Sequence, residues 1–147
     1  MAFRVLLVDD SASHLDLLCL LIDLEDDLEI CGVAQDGAAG VRLAAEVQPD
    51  VIVSDIDMPV LDGLRAMPLY RKVVPAAVVI LMSSRLPEDA ARDAEDVGAD
   101  LYIDKGTGVD TTIQLLRSVA MAAAAQRAVV DLRDPEPDPS VRRTPFD

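Results

Sequence analysis

Five short apolar runs punctuate the chain: Phe3 to Val8, Leu28 to Ala34, Val51 to Ser54, Ala77 to Met82 and Leu101 to Ile103. Each is followed by a segment whose apolar residues recur at helical spacing, the alternation of a parallel sheet. Several runs show no polar alternation, as expected of strands covered by helices on both faces. The pattern predicts an α/β domain with five strands and five helices. Right-handed crossovers make it an open sandwich, in which ligands bind beyond the carboxyl ends of the strands.

The helical segments have their own punctuation. Ser13 to Leu24 places Leu17, Leu18, Leu21 and Leu24 on one stripe, with Ser11 or Ser13 as N-cap. Gly40 to Val47 stops before Pro49, and Leu64 to Val73 must accommodate Pro68. Pro87-Glu88-Asp89 opens a fourth helix, since proline fits the first turn and acids suit the positive end of the helix dipole; Gly98 closes it. Thr107 to about Arg127 forms a fifth, with Ile113, Leu116, Val119 and Ala120 facing inward and an alanine run from Ala122 to Ala125. After Leu132 come Asp134-Pro135-Glu136-Pro137-Asp138-Pro139, which build neither helix nor core. Residues 1–128 are therefore read as one domain and residues 129–147 as a Pro-rich acidic tail, disordered or serving as a linker.

Composition narrows the function. A length of 147 residues suits one domain with one core, and 27 acidic against 13 basic residues leave a net charge of −14. Such a surface is repelled by phosphate backbones and anionic lipid, so direct nucleic-acid binding by this chain is not expected. No uncharged stretch approaches the roughly 20 residues needed to cross a bilayer, and the start of the chain carries no secretory pattern. A cytoplasmic protein without membrane attachment is expected. Cys19 and Cys31 sit in apolar patterns as small hydrophobes, and His14, the single histidine, cannot build a Cys/His zinc site.

The chemistry lies where the apolar runs end. Asp9-Asp10 follows the first, Asp55 the third, Ser83-Ser84 the fourth and Asp104-Lys105 the fifth, and the fold brings these ends to one rim. Clustered carboxylates need raised pKa values or a divalent cation, and oxygen-only ligation suits Mg2+. A hydroxyl and an ammonium beside such a carboxylate form a set able to receive a phosphoryl group.

These residues resemble the receiver domains of two-component response regulators, including the chemotaxis-regulator type, over roughly residues 3 to 122. Asp9-Asp10 resembles the acidic pair of the family, and Asp55-Ile56-Asp57-Met58-Pro59-Val60-Leu61-Asp62-Gly63 resembles the stretch around its phosphorylated aspartate. Ser83, Tyr102 and Lys105 match the switch hydroxyl, the switch aromatic and the site lysine. The resemblance implies a flavodoxin-like sheet in the order 2-1-3-4-5 and Asp55 as phospho-acceptor. It also implies Mg2+ held by Asp10 and Asp55 through side chains, by the Asp57 backbone carbonyl, and by Asp9 partly through water. The donor would be a sensor histidine kinase, a phosphotransfer protein or a small phosphodonor. Ser83 would shift toward the phosphoryl group and Tyr102 rotate inward, remodelling a face made by the fourth helix, fifth strand and fifth helix, through which a homodimer is also implied. Such a protein is no enzyme beyond its own phosphorylation and dephosphorylation. Family comparison further suggests that Asp57 and Arg85 pair across the mouth of the site and influence phosphoryl lifetime.

One departure is Gly106, where the family commonly carries proline in a cis peptide. A non-proline cis bond costs about 2.5–4 kcal/mol, so a trans peptide and a looser loop are expected. Other features have blander readings. Asp62-Gly63 forms a turn in which glycine supplies a positive φ and Asp62 caps the third helix. His14 is solvent-facing or hydrogen-bonded, and Glu88, Asp89, Asp93, Glu95 and Asp96 are a solvated helix face on the expected output surface. Two outputs remain open: a single-domain regulator that acts through a protein partner, or the receiver part of a longer transcriptional regulator or effector enzyme. An aspartyl-phosphate-type phosphatase, with Asp57 as acid/base, is disfavoured by the residues around Asp55 and by the lack of a cap segment.

Overall fold

The computed structural model describes residues 2–133, with side chains through residue 129. Five strands and five helices alternate along the chain: β1 (Phe3–Val8), α1 (Ala12–Asp23), β2 (Leu28–Ala34), α2 (Gly37–Val47), β3 (Val51–Asp55), α3 (Gly63–Val73), β4 (Val78–Ser83), α4 (Pro87–Asp96), β5 (Leu101–Asp104) and α5 (Val109–Arg133). All pairings are parallel and the sheet order is β2-β1-β3-β4-β5, as the resemblance implied. The order reverses at β1, between β2 and β3, which opens a crevice at the carboxyl ends of β1 and β3.

Alternating residues of each strand feed two cores. Val5 and Leu7 of β1, with Val51, Val53, Ile80 and Met82, pack under α1 and α5. Leu6 and Val8, with Ile52, Val79 and Leu81, pack under α2, α3 and α4, where Met67 and Tyr70 are fully buried. Since both faces are covered, β3 and β4 are buried along their whole length, and no polar alternation survives in their sequences.

Helix α1 is capped by Ser11, but its buried face differs from the expected one. Leu15, Leu18 and Ile22 face the core, while Leu17 and Leu24 are 42% and 72% exposed and Leu21 is only half-buried. Apolar residues stand at nearly every position from Leu17 to Ile22, so periodicity alone does not select a face. Helix α2 begins at Gly37, earlier than its apolar pattern suggested, because the Asp36 carboxylate accepts from the Ala39 amide at 2.8 Å and caps that turn. Pro68 lies inside α3 without ending it.

At the end of the sheet away from the crevice, Arg71 joins α3 to the carbonyls of Ala77 and Gly98 and to Asp100. The Arg117 side chain of α5 grips Asp27 and Glu25 beyond α1, with its shortest contact to each at 2.6 Å. The boundary drawn at residue 128 falls inside α5, which continues to Arg133 because no glycine or proline interrupts it after the alanine run. The remainder of the acidic tail, residues 134–147, lies outside the described residues. Cys19 and Cys31 are free, half-buried and packed on opposite cores, and burial raises both thiol pKa values. Among the described residues no helix is long and apolar enough to cross a membrane.

Candidate functional site

The strand ends deliver the expected side chains to one rim. Asp9 follows β1 and is buried, Asp10 is exposed beside it, and Asp55 closes β3 with its side chain buried. One carboxylate oxygen from each lies within 4.8 Å of the others. Lys105, just beyond β5, places Nζ 3.0 Å from Asp9 Oδ2 and 3.0 Å from Asp55 Oδ2. Asp55 Oδ1 also accepts from the Asp57 amide at 3.3 Å.

The loop after β3 is bent tightly enough to present Asp55. The Gly63 amide donates to the Ile56 carbonyl at 2.8 Å, and a Cβ on Gly63 would collide with the carbonyl oxygen of Asp55. Gly63 is therefore required for close approach and not, as expected, for a positive φ; it is the first residue of α3, capped by Asp62 through the Arg65 amide at 2.8 Å. The positive φ in this loop belongs to Val60, at 69°, a β-branched residue in the left-handed region and 83% exposed.

Charge is shared unevenly among the acids. Burial pushes Asp9 up, but hydrogen bonds from His14, the Ser11 amide and Lys105 outweigh it and hold the carboxyl at about 2. Burial dominates at Asp55; the Lys105 ammonium offsets only part of it, the Asp9 charge adds to it, and the carboxyl is raised to about 6. Lys105 loses from burial but gains more from these two acids, so its ammonium is held more firmly than usual.

At the end of β4 the fully buried Ser83 donates through Oγ to Asp57 Oδ2 at 3.0 Å and accepts from the Arg85 amide at 3.0 Å. The Asp57–Arg85 pair expected across the mouth forms, with Nε 3.3 Å from Oδ2. Tyr102 is half-buried, and its hydroxyl donates to the Ser83 carbonyl at 3.4 Å. The Lys105–Gly106 peptide is trans, and Gly106 and Thr107 donate their amides to Asp104, which closes the loop before α5.

Two partners were not named by the sequence. His14 was expected to be solvent-facing or hydrogen-bonded; its Nδ1 lies 2.6 Å from Asp9 Oδ2. Asp93, read as part of a solvated face, lies 3.6 Å from Arg85 through Oδ2. Neither pairing is signalled by a period along the sequence.

Chemically, the cluster offers hard oxygen donors from three acids, one ammonium between two of them, and one hydroxyl. That donor set fits a hard divalent cation such as Mg2+ and an anionic group bearing several oxygens.

Comparison with known proteins gives the following similarities. Residues 5–117 match the family model of the response regulator receiver domain. The chain is 39% identical over 104 residues to a protein-glutamate methylesterase/protein-glutamine glutaminase of Maricaulis maris, covering 69% of this chain and 26% of that protein. It is 43% identical over 107 residues to the protein of the same name from Thermotoga maritima, covering 71% and 31%. The chain thus spans about a quarter to a third of the length of these relatives. Among solved structures, the response regulator domain of Thermotoga maritima CheB superposes with a TM-score of 0.73 at 36% identity, covering 84% of this chain and 98% of that one. The receiver domain of AraT, a response regulator from Geobacillus stearothermophilus, does so at 0.77 and 26%, covering 86% and 99%.

Proposed function

This chain belongs to the response regulator receiver domain family, and from that premise we propose that it accepts a phosphoryl group on Asp55 and passes the resulting change to the face of α4, β5 and α5. The observation that carries the reading is the buried Asp55 carboxylate, held 3.0 Å from Lys105 Nζ and grouped with Asp9 and Asp10 within 4.8 Å at the open end of the crevice. In the transfer, an Asp55 carboxylate oxygen attacks phosphorus and forms the acyl–phosphate bond. The bond from phosphorus to the donor breaks, and its electron pair leaves on the imidazole nitrogen of a phosphohistidine or on the carboxylate of acetyl phosphate. The Lys105 ammonium already bridges Asp9 and Asp55, so it is placed to neutralise the incoming oxygens without travelling far.

Asp10 and Asp55 would hold Mg2+ through their carboxylates, Asp57 through its backbone carbonyl and Asp9 partly through water. When bound, the ion supplies positive charge to the phosphoryl oxygens. Ser83 would donate its hydroxyl to one of those oxygens after leaving Asp57, with Tyr102 following inward. The partners in this reading are a sensor histidine kinase or phosphotransfer protein as donor and a second copy of the chain at the α4–β5–α5 face, in the cytoplasm. The chain catalyses only its own phosphorylation and dephosphorylation. A second reading is favoured by the relatives, whose names describe methylesterase and glutaminase enzymes: the receiver would control an effector activity that lies outside this chain.

Intact mass after incubation with acetyl phosphate and Mg2+ tests the proposal. One added phosphoryl mass is expected, absent in Asp55→Asn and in chelator. No gain, together with no binding of beryllofluoride in the presence of Mg2+, overturns it.

A further inference from the structure

The Ser83 hydroxyl carries a single proton, and that proton is donated to Asp57. The accepting oxygen, Asp57 Oδ2, is also 3.3 Å from Arg85 Nε, and Arg85 Nη1 reaches to 3.6 Å from Asp93 Oδ2 on α4. The Arg85 amide is in turn bonded to Ser83 Oγ. One series of contacts therefore runs from the lip of the site, through the serine and the segment that leads into α4, to the body of that helix. No side chain caps the start of α4, so its first amides depend on the segment that leads into it.

We propose that Asp57, Arg85 and Asp93 form a latch that holds the Ser83 hydroxyl and α4 in the resting arrangement, and that a phosphoryl group on Asp55 opens it by competing for the serine proton. The inference rests on the acceptor role assigned to Asp55 above. The contacts suit a latch that must open. Side-chain exposures of 53% for Asp57, 40% for Arg85 and 42% for Asp93 leave each ion pair weak. A phosphoryl group brings nearly two negative charges and three acceptor oxygens, more than one carboxylate offers to the same hydroxyl. Once Ser83 turns away, the Arg85 amide loses its acceptor and Asp57 loses one of its two partners, so the start of α4 is released from both sides. The latch thus sets how much of the unphosphorylated protein already samples the active packing.

The discriminating variant is Asp93→Asn, because Asp93 lies outside the acid cluster. In the free protein, amide exchange over residues 85–90 is expected to be faster in Asp57→Ala and in Asp93→Asn than in the wild type. With Mg2+ present, beryllofluoride is expected to bind each variant about two- to fivefold more tightly. In an Arg85→Ala background the effect of Asp93→Asn is expected to vanish, whereas an effect due only to lost surface charge would persist. Exchange or affinity unchanged in Asp93→Asn, or an equal effect with and without Arg85, overturns the latch. If the wild type binds no beryllofluoride, the acceptor role of Asp55 fails instead, and the exchange rates alone decide the latch.

Discussion

At the residue scale, the two buried acids of the site are a matched pair with opposite signs. Asp55 titrates at about 6 in the fold against an ordinary value of 3.8. Its protonated form is therefore favoured by folding, and the stability it contributes below pH 4 is lost as pH rises through 6. Asp9, at about 2, contributes stability above pH 4 that is lost only as pH falls toward 2. In chelator at pH 8, Asp55→Asn is expected to raise unfolding stability by about 1–2 kcal/mol and Asp9→Asn to lower it by a similar amount. Urea denaturation of the two variants checks this, and the gain from Asp55→Asn should disappear below pH 4. A site that destabilises its own fold at the proposed acceptor is one where local stability has yielded to chemistry.

At the element scale, the strands were legible to within a residue and the helices less so. A strand buried on both faces needs only a short apolar run with a polar residue at its end, and that same rule exposed Asp9, Asp55, Ser83 and Lys105 as site candidates. A helix must choose a face, and in α1 the sequence offers leucine on several. The structure buries Leu18 and leaves Leu17 42% exposed. Leu18→Ala is accordingly expected to cost about 2–5 kcal/mol and Leu17→Ala less than about 1 kcal/mol, as read by denaturant midpoints. What the sequence hid depends on how loops approach one another. Gly63 read as an ordinary turn glycine until the Asp55 carbonyl was found against it, and Asp93 read as solvent-facing until Arg85 was found beside it. Neither meeting has a period along the chain.

At the scale of the whole molecule, the chain has a net charge of −14, and its fold gathers three of the acids at one point. A cation bound there would relieve that repulsion, and its binding would then be coupled to folding. Mg2+ at a hundredfold excess over its dissociation constant is expected to stabilise the protein by about 2.7 kcal/mol. A thermal scan with and without chelator measures it, and Asp10→Asn should remove most of the difference without altering the stability in chelator by a comparable amount.

Helix α5 is also a mechanical part. Arg117 fixes it to the loop beyond α1, eight residues from its start and sixteen from its end. At 1.5 Å per residue the two arms measure about 12 Å and 24 Å, and residues 125–129 of the longer one are exposed. Leu116 and Ala120, on either side of Arg117, are buried against the sheet and Ala123 packs beside them, so this whole stretch is anchored. With residues 125–129 exposed, a small tilt of the anchored stretch is magnified along the rod that follows it, toward Arg133.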